Sequence, residues 1–248
     1  ILANRLTNPF YRLVEKAKQI GQGNYLNTVQ INSKIIEIQN ISKSFEIMQD
    51  EIKKRELNII FQANHDLLTG LYNRKKINEI LTEYLEQRQE FHVVQMNVLE
   101  LSNIFDVFGY TLGELFLKKM ADRLKEIPGV IGRTNGSEFI WIPSIQPGLP
   151  MNDAIEAVHE MLVKPYSIQG QRIEVEVSIA LLKVPEQASG IDEIFMRLNI
   201  ASVAAEKNKI YYTLFQSEYE KSYLYKLEIL HELKNEIKKS SPGFTLCY

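Results

Sequence analysis

Residues 93–141 read VVQMNVLELSNIFDVFGYTLGELFLKKMADRLKEIPGVIGRTNGSEFIW. The apolar run at 93–98 is long enough for one strand, and the next segment has apolar residues three and four positions apart, as in a helix. After Pro128-Gly129 comes a second apolar run, then a polar break at Thr134-Asn135-Gly136 and a third run ending at Trp141. Because Asn-Gly between two apolar runs is typical of a tight hairpin, this stretch predicts strand, helix, strand, turn and strand.

The flanking segments predict further alternation of helices and strands. Before the central unit, Thr69-Gly70 predicts a turn, and Asn73 predicts the N-cap of a helix over 74–87. After it, residues 152–164 and 191–207 have helical periodicity, whereas 173–182 and 211–215 have the character of strands. Strands that alternate with helices indicate an α/β sandwich.

Two motifs in these elements resemble the GGDEF family, the diguanylate cyclases. The family's hairpin carries Gly-Gly-Asp/Glu-Glu-Phe, and this chain has Asn135-Gly136-Ser137-Glu138-Phe139. The more specific match is DLLTGLYNR at 66–74, which is similar to the family's Asp-x-Leu-Thr-Gly-Leu-x-Asn-Arg. The resemblance implies a GGDEF-type sandwich over residues 66–218, in which helices flank a mostly antiparallel five-stranded sheet.

The N-terminal segment has the narrow apolar seam of a coiled coil. Residues 1–21 predict one helix and a second begins near Ser33, with a short connector between them around Gly23. Two such helices before a GGDEF-like segment resemble a HAMP domain, here 1–52, which implies a homodimeric four-helix bundle; a plain helical hairpin or a generic dimeric coiled coil is the alternative. Residues 53–65 are then the signalling helix. The dimer seam consists of Leu6, Leu13, Ile38, Ile41, Phe45, Met48 and Ile52.

The family's catalytic positions fall on residues without charge. The family holds two divalent metals with carboxylates and condenses two GTP molecules into cyclic di-GMP, and hard cations such as Mg²⁺ need oxygen ligands that carry charge. By the resemblance the metal positions are Asn97 and Ser137, the second strand carboxylate is Leu99, and the phosphate-binding lysine is Ser102. The resemblance therefore implies a degenerate, non-catalytic domain without metal or cofactor.

The nucleotide and product positions are also altered. The vestigial nucleotide-binding positions are Phe105 and Glu114 for the guanine, Glu138 in the hairpin, and Lys207 for the triphosphate. The inhibitory product site of the family, Arg-x-x-Asp, falls on Glu126 and Gly129, so we expect no cyclic di-GMP to bind there.

Composition sets the remaining expectations. The net charge of −2 gives no support for nucleic-acid binding, and the single cysteine, Cys247, excludes an intrachain disulfide. Because the first residue is Ile1, we expect a piece of a longer chain, and the HAMP resemblance implies a transmembrane helix upstream. Residues 219–248 predict a linker helix and the start of a truncated EAL domain, a cyclic di-GMP phosphodiesterase-like module and an expected partner.

These features together resemble the LapD-type receptors of the bacterial inner membrane. The implied function is a non-catalytic relay, in which HAMP and a degenerate GGDEF domain couple a periplasmic sensor to a cytoplasmic EAL domain, this segment being cytoplasmic. Two alternatives stay open: a GTP-binding regulatory domain of a phosphodiesterase, and a CsrD-type regulator of RNA turnover.

Overall fold

The computed structural model describes residues 11–12, 14–15, 17–21, 36–88, 90–144 and 150–239. The chain divides into two compact units, Ile1–Ala63 and Asn64–Tyr248. Each unit has its own buried residues and is described separately.

The N-terminal unit is helical where it is described. Residues 11–12, 14–15 and 17–21 are helical, and helix α1 spans Ile36–Asn64. Ile38 is buried and Phe45 and Ile52 are half-buried, whereas Ile41 and Met48 are 39% and 42% exposed. The predicted seam is thus divided between residues buried within the unit and residues left on its surface. Leu6, Leu13 and the connector at 22–35 lie outside the described residues.

The second unit is built on a six-stranded sheet and a separate hairpin. The strands in chain order are β1 Tyr72–Asn73, β2 Phe91–Val98, β3 Gly129–Arg133, β4 Glu138–Pro143, β5 Tyr166–Ile168, β6 Gln171–Ile173, β7 Val177–Val184 and β8 Tyr212–Leu214. The sheet has the order β1-β3-β4-β2-β7-β8, and β5 pairs with β6 in the hairpin. The three central pairings of the sheet are antiparallel, and the two edge pairings, β1 with β3 and β7 with β8, are parallel.

Helices cover both faces of this sheet. They are α2 Arg74–Glu86, α3 Leu101–Leu124, α4 Met151–Val163 and α5 Ile191–Asn208. Alternation along the strands separates two apolar clusters, because Val94 and Met96 of β2 pack with α3 and α4, whereas Val93 packs with α2 and α5. The predicted α/β sandwich is confirmed; the sheet has six strands, because the two-residue β1 extends it at one edge.

The central unit has the predicted order of β2, α3, β3, turn and β4. Helix α3 is kinked at Gly109, whose φ of 81° is a left-handed conformation that glycine tolerates. Asn73 caps α2 as predicted, since its side chain accepts a hydrogen bond from the backbone N–H of Lys76 at 3.0 Å. The sequence signals for both the order and the cap are therefore confirmed.

Helix α6 spans Ser217–Lys239 and follows β8. Tyr223, Leu224, Leu227, Leu230 and Leu233 are exposed along it. Among the described residues, no helix is both long enough and apolar enough to cross a lipid bilayer.

Candidate functional site

A cleft of about 470 Å³ opens where β2 ends and α3 begins, beside the hairpin turn between β3 and β4. It contains five of the positions that the sequence assigned to the family's chemistry, together with Glu100 and Glu206, which carry its charge. The lining residues are Asn97, Val98, Leu99, Glu100, Leu101, Ser102, Phe105, Gly136, Ser137 and Glu206.

Asn97 lies near the C-terminal end of β2, where the strand meets the cleft. It pairs in register with Glu138 of β4 on one side and Ser178 of β7 on the other. Its side-chain Nδ2 donates to Oε1 of Glu206 at 3.1 Å. Its Oδ1 is buried and has no hydrogen-bond partner within the described part of the chain. The amide therefore links β2 to the end of α5 and leaves one acceptor unused.

Phe105 fills space within the kinked helix α3. A Cβ atom added at Gly113 would lie 2.5 Å from the Phe105 ring, so the ring rests directly on the backbone of that glycine. The same ring meets Tyr110 with a centroid distance of 5.2 Å. Since a phenyl ring offers no hydrogen bond to a base edge, this wall of the cleft is apolar and cannot recognise a guanine by hydrogen bonding.

Arg133 joins the hairpin turn to the turn that precedes β1. Its Nη1 donates to both carboxylate oxygens of Asp66, at 3.2 and 3.4 Å, and its Nη2 donates to the backbone oxygen of Gly136 at 2.8 Å. Asp66 also accepts from the backbone N–H and the hydroxyl of Thr69, at 2.9 and 2.6 Å. We call Asp66, Thr69, Arg133 and Gly136 the turn-to-hairpin link.

Burial and hydrogen bonding act in opposite directions on Asp66. Partial burial by itself raises the pKa of the carboxyl group, but the hydrogen bonds from Thr69 and the charge and hydrogen bond of Arg133 outweigh it. The net pKa of Asp66 is therefore lowered from its ordinary value of 3.8. The link thus holds a carboxylate that stays ionised at neutral pH.

The donors in the cleft do not fit the two divalent metals that the family resemblance implies. Asn97 offers a neutral amide, Ser137 a hydroxyl and Leu99 no ligand. The described residues contain no group of three or more His, Cys, Asp or Glu side chains able to hold a metal ion. Two close Mg²⁺ ions need several charged oxygen ligands from the protein beside the phosphate oxygens. The lining offers two carboxylates, Glu100 and Glu206, and Glu206 already accepts a hydrogen bond from Asn97, so we derive no step through a metal here.

Four other predicted positions lie outside the cleft lining. Glu114 and Lys207 are exposed on α3 and α5, and Glu138 is half-buried at the start of β4. Glu126 is exposed in the turn after α3. Glu114, Glu138 and Lys207 are thus not among the residues that line the cleft, although Glu138 pairs in register with Asn97.

Gly129 is the second position of the family's product site and the first residue of β3. The backbone of β4 lies close to it. A Cβ at this residue would lie 2.3 Å from the backbone oxygen of Ile142, and its φ is +129°. This position therefore excludes a side chain of any kind, and the charge expected of a product site is absent there.

Glu206 is the cleft residue that the sequence did not single out. Helix α5 ends with Lys209 in the left-handed conformation, φ 54°, where glycine is usual. If Lys209 takes the place of the glycine in the family's Ala-Lys-x-x-Gly, the lysine position falls on Glu206 instead of Lys207. A helix end is hard to place from sequence when the left-handed residue is a lysine, and the assignment of the lysine position to Lys207 stays a prediction.

A family profile described as "Diguanylate cyclase, GGDEF domain" matches residues 63–210. Among curated proteins, the chain is 22% identical over 201 residues to the bifunctional diguanylate cyclase/cyclic di-GMP phosphodiesterase MucR of Pseudomonas aeruginosa, covering 78% of this chain and 29% of MucR. It is 25% identical over 172 residues to the diguanylate cyclase DgcP of Escherichia coli, covering 66% of this chain and 50% of DgcP. The chain thus spans between about a quarter and a half of the length of these two relatives.

The fold is also that of a solved domain. A structure of TpbB (YfiN) from Pseudomonas aeruginosa, comprising only the GGDEF domain, matches with a TM-score of 0.57 at 20% identity. The match covers 64% of this chain and 99% of that one. At this identity the likeness shows the fold alone.

Proposed function

The chain belongs to the GGDEF diguanylate cyclase family, and from that premise we propose that its GGDEF domain is a non-catalytic relay in cyclic di-GMP signalling. The observation that carries the proposal is the lining of the cleft. Glu100 and Glu206 are its charged residues, and among the described residues that line it there is no lysine or arginine. A nucleoside triphosphate carries several negative charges, so without a bound metal this cleft repels the substrate that a cyclase must hold.

Three further features of the cleft support the absence of catalysis. Asn97 and Ser137 replace the carboxylates that would hold metal, so the phosphate charge would not be neutralised. Asn97 is also engaged with Glu206. The Phe105 ring rests on Gly113 where the family resemblance places the guanine.

A GTP-binding regulatory role is the less supported alternative. It would use Glu114, Glu138 and Lys207, and none of these three lines the cleft. A role in RNA turnover has no electrostatic support, because the chain carries a net charge of −2.

The turn-to-hairpin link is the element we assign to signal transmission. Asp66 follows α1 by two residues, and Arg133 connects it to the hairpin that forms one wall of the cleft. The two side chains are largely buried, 11% exposed for Arg133 and 26% for Asp66, so water competes little for their ion pair. In this proposal the ion pair stays formed when the turn moves, and the hairpin moves with it. In this proposal the domain works through contacts and not through turnover.

The wider assignment extends the same proposal beyond this domain. Residues 1–52 act as a HAMP bundle that dimerises, 53–65 as the signalling helix, and 219–248 as the linker helix and the start of an EAL domain. The complete protein then lies in the bacterial inner membrane, with a transmembrane helix upstream and the GGDEF domain in the cytoplasm. The supporting observations are the heptad spacing of α1 and the long helix α6 after β8.

Turnover of GTP tests the proposal. The purified chain is incubated with GTP and Mg²⁺ or Mn²⁺, and cyclic di-GMP is measured by chromatography beside an active cyclase as positive control. We expect no product above a protein-free blank. Product that persists in an Asn97→Ala variant would show catalysis elsewhere, and product that this variant abolishes would show that the cleft is active; either result contradicts the proposal.

A further inference from the structure

A second cavity of about 790 Å³ lies beside the cleft, between the first half of α3, the β5–β6 hairpin and residues 174–176. Its floor is apolar and includes Ile104, Phe108, Ile173 and Val175. This volume is within the range of sites that hold ligands of drug-like size or a few side chains. None of the positions predicted for metal or product binding lines it, and Leu99 is the one predicted catalytic position among its lining residues.

Carboxylates surround the apolar floor. Glu100, Glu174, Glu176 and Glu206 line the cavity, with Arg172 as the single basic residue of the lining. Arg172 is already paired, since its Nη2 lies 2.8 Å from Oε1 of Glu174. The rim is therefore strongly negative, although the whole chain is close to neutral.

Val107 extends the apolar floor to the outer surface. This residue lines the cavity from α3 and is 72% exposed. An exposed apolar residue continuous with a groove and bordered by charge is typical of a surface that another chain covers. A small cation enclosed by the cavity would leave Val107 uncovered.

We propose that this cavity and Val107 form a docking surface for a protein segment that carries large apolar side chains flanked by lysines or arginines. The apolar side chains would occupy the floor formed by Ile104, Phe108 and Val175. The basic side chains would meet the glutamates of the rim, which steer such a segment into the groove and reject acidic ones. The proposal does not use the turn-to-hairpin link, so it stands whether or not the relay proposal is correct.

The test measures binding of a labelled hexapeptide, acetyl-Lys-Arg-Leu-Phe-Arg-Lys-amide, to the full chain by fluorescence anisotropy. Two comparison peptides replace either the four basic residues with glutamate or the Leu-Phe pair with serine. We expect saturable binding of the first peptide alone. Absence of binding at millimolar concentration, or equal binding of the serine peptide, would overturn the proposal, because the latter would reflect charge without docking.

Surface variants locate the site. In the double variant Glu174→Gln with Glu176→Gln we expect the Kd to rise roughly five- to tenfold, because the rim loses two negative charges and Arg172 loses its partner Glu174. Val107→Ser should weaken binding without changing its salt dependence. The matched control is Glu228→Gln with Glu232→Gln on exposed positions of α6, which removes the same charge elsewhere. If that control weakens binding as much, the peptide is held by overall charge and the docking surface is refuted.

Discussion

The single carboxylate of Asp66 serves both a turn and a hairpin in the GGDEF domain. The substitution Asp66→Asn would remove the negative charge on which its hydrogen bonds with Arg133 and Thr69 depend. We expect the free energy of unfolding to fall by about 2 kcal/mol, the usual value for a hydrogen-bonded charged group that is partly buried. Urea denaturation followed by circular dichroism measures it.

Asp122 provides a matched control for that substitution. It also pairs with a cation, Lys125 at 3.2 Å, but the two side chains are 65% and 48% exposed. Asp122→Asn should change the unfolding free energy by less than about 0.5 kcal/mol. Equal effects of the two substitutions would show that the turn-to-hairpin link has no special role in stability.

The lowered pKa of Asp66 predicts how this stability depends on pH. The carboxyl group binds protons less readily in the folded chain than in the unfolded one, so its contribution is complete above the ordinary value of 3.8. It is lost as the pH falls below that value, through the lower pKa of the folded state. Urea denaturation between pH 7 and pH 3 should therefore show the difference between the wild type and Asp66→Asn shrinking below about pH 4. A constant difference over this range would contradict the assignment.

At the level of elements, Arg123 fastens the end of one helix to the next hairpin. From α3 its guanidinium donates to the backbone oxygens of Met161 at 3.0 Å and Pro165 at 2.9 Å, and it lies 3.6 Å from the ring centroid of Tyr166. Arg123 thus satisfies carbonyl groups that the C-terminal end of α4 leaves without helical partners.

Removing this guanidinium should loosen α4 and the β5–β6 hairpin together. We expect Arg123→Ala to lower the unfolding free energy by about 3 kcal/mol, and Arg123→Lys to recover less than half, because one ammonium group cannot reproduce the planar fork. Thermal unfolding of both variants beside Lys75→Ala, an exposed lysine of α2, is the measurement. Full recovery by lysine would mean that charge alone, and not the fork, holds the two elements.

The elements differ in how far their sequence determines them. The order of β2, α3 and the β3–β4 hairpin was predictable because apolar periodicity and Asn-Gly are local signals. The two-residue β1 was not, since it exists through its parallel pairing with β3, a contact between distant residues. Glu206 was missed for a related reason: in the cleft it accepts a hydrogen bond from Asn97, a contact between residues 109 positions apart in the sequence.

At the scale of the whole molecule, the described part of the N-terminal unit leaves apolar residues on its surface at heptad spacing. Ile41 and Met48 are seven residues apart and both exposed, whereas Ile38 of the same predicted seam is buried. One chain therefore satisfies part of the seam and leaves the rest available. A second copy is the partner that such self-complementary spacing favours, as the HAMP resemblance implies.

This arrangement predicts a dimer that dissociates when charged residues are introduced into the seam. The double variant Ile41→Glu with Met48→Glu places two carboxylates on the proposed interface, where like charges from both copies would meet without solvent, so we expect a monomer by sedimentation velocity. Ile47→Glu with Leu57→Glu is the matched control, because these side chains are 58% and 59% exposed and lie outside the heptad seam. A wild-type chain that is monomeric at about 100 µM, or a control variant that dissociates equally, would contradict the seam. If only the seam variant loses the dimer, the relay proposal gains its second copy. In each copy, a change in the packing of α1 would then reach the turn at Asp66, which follows α1 in the chain.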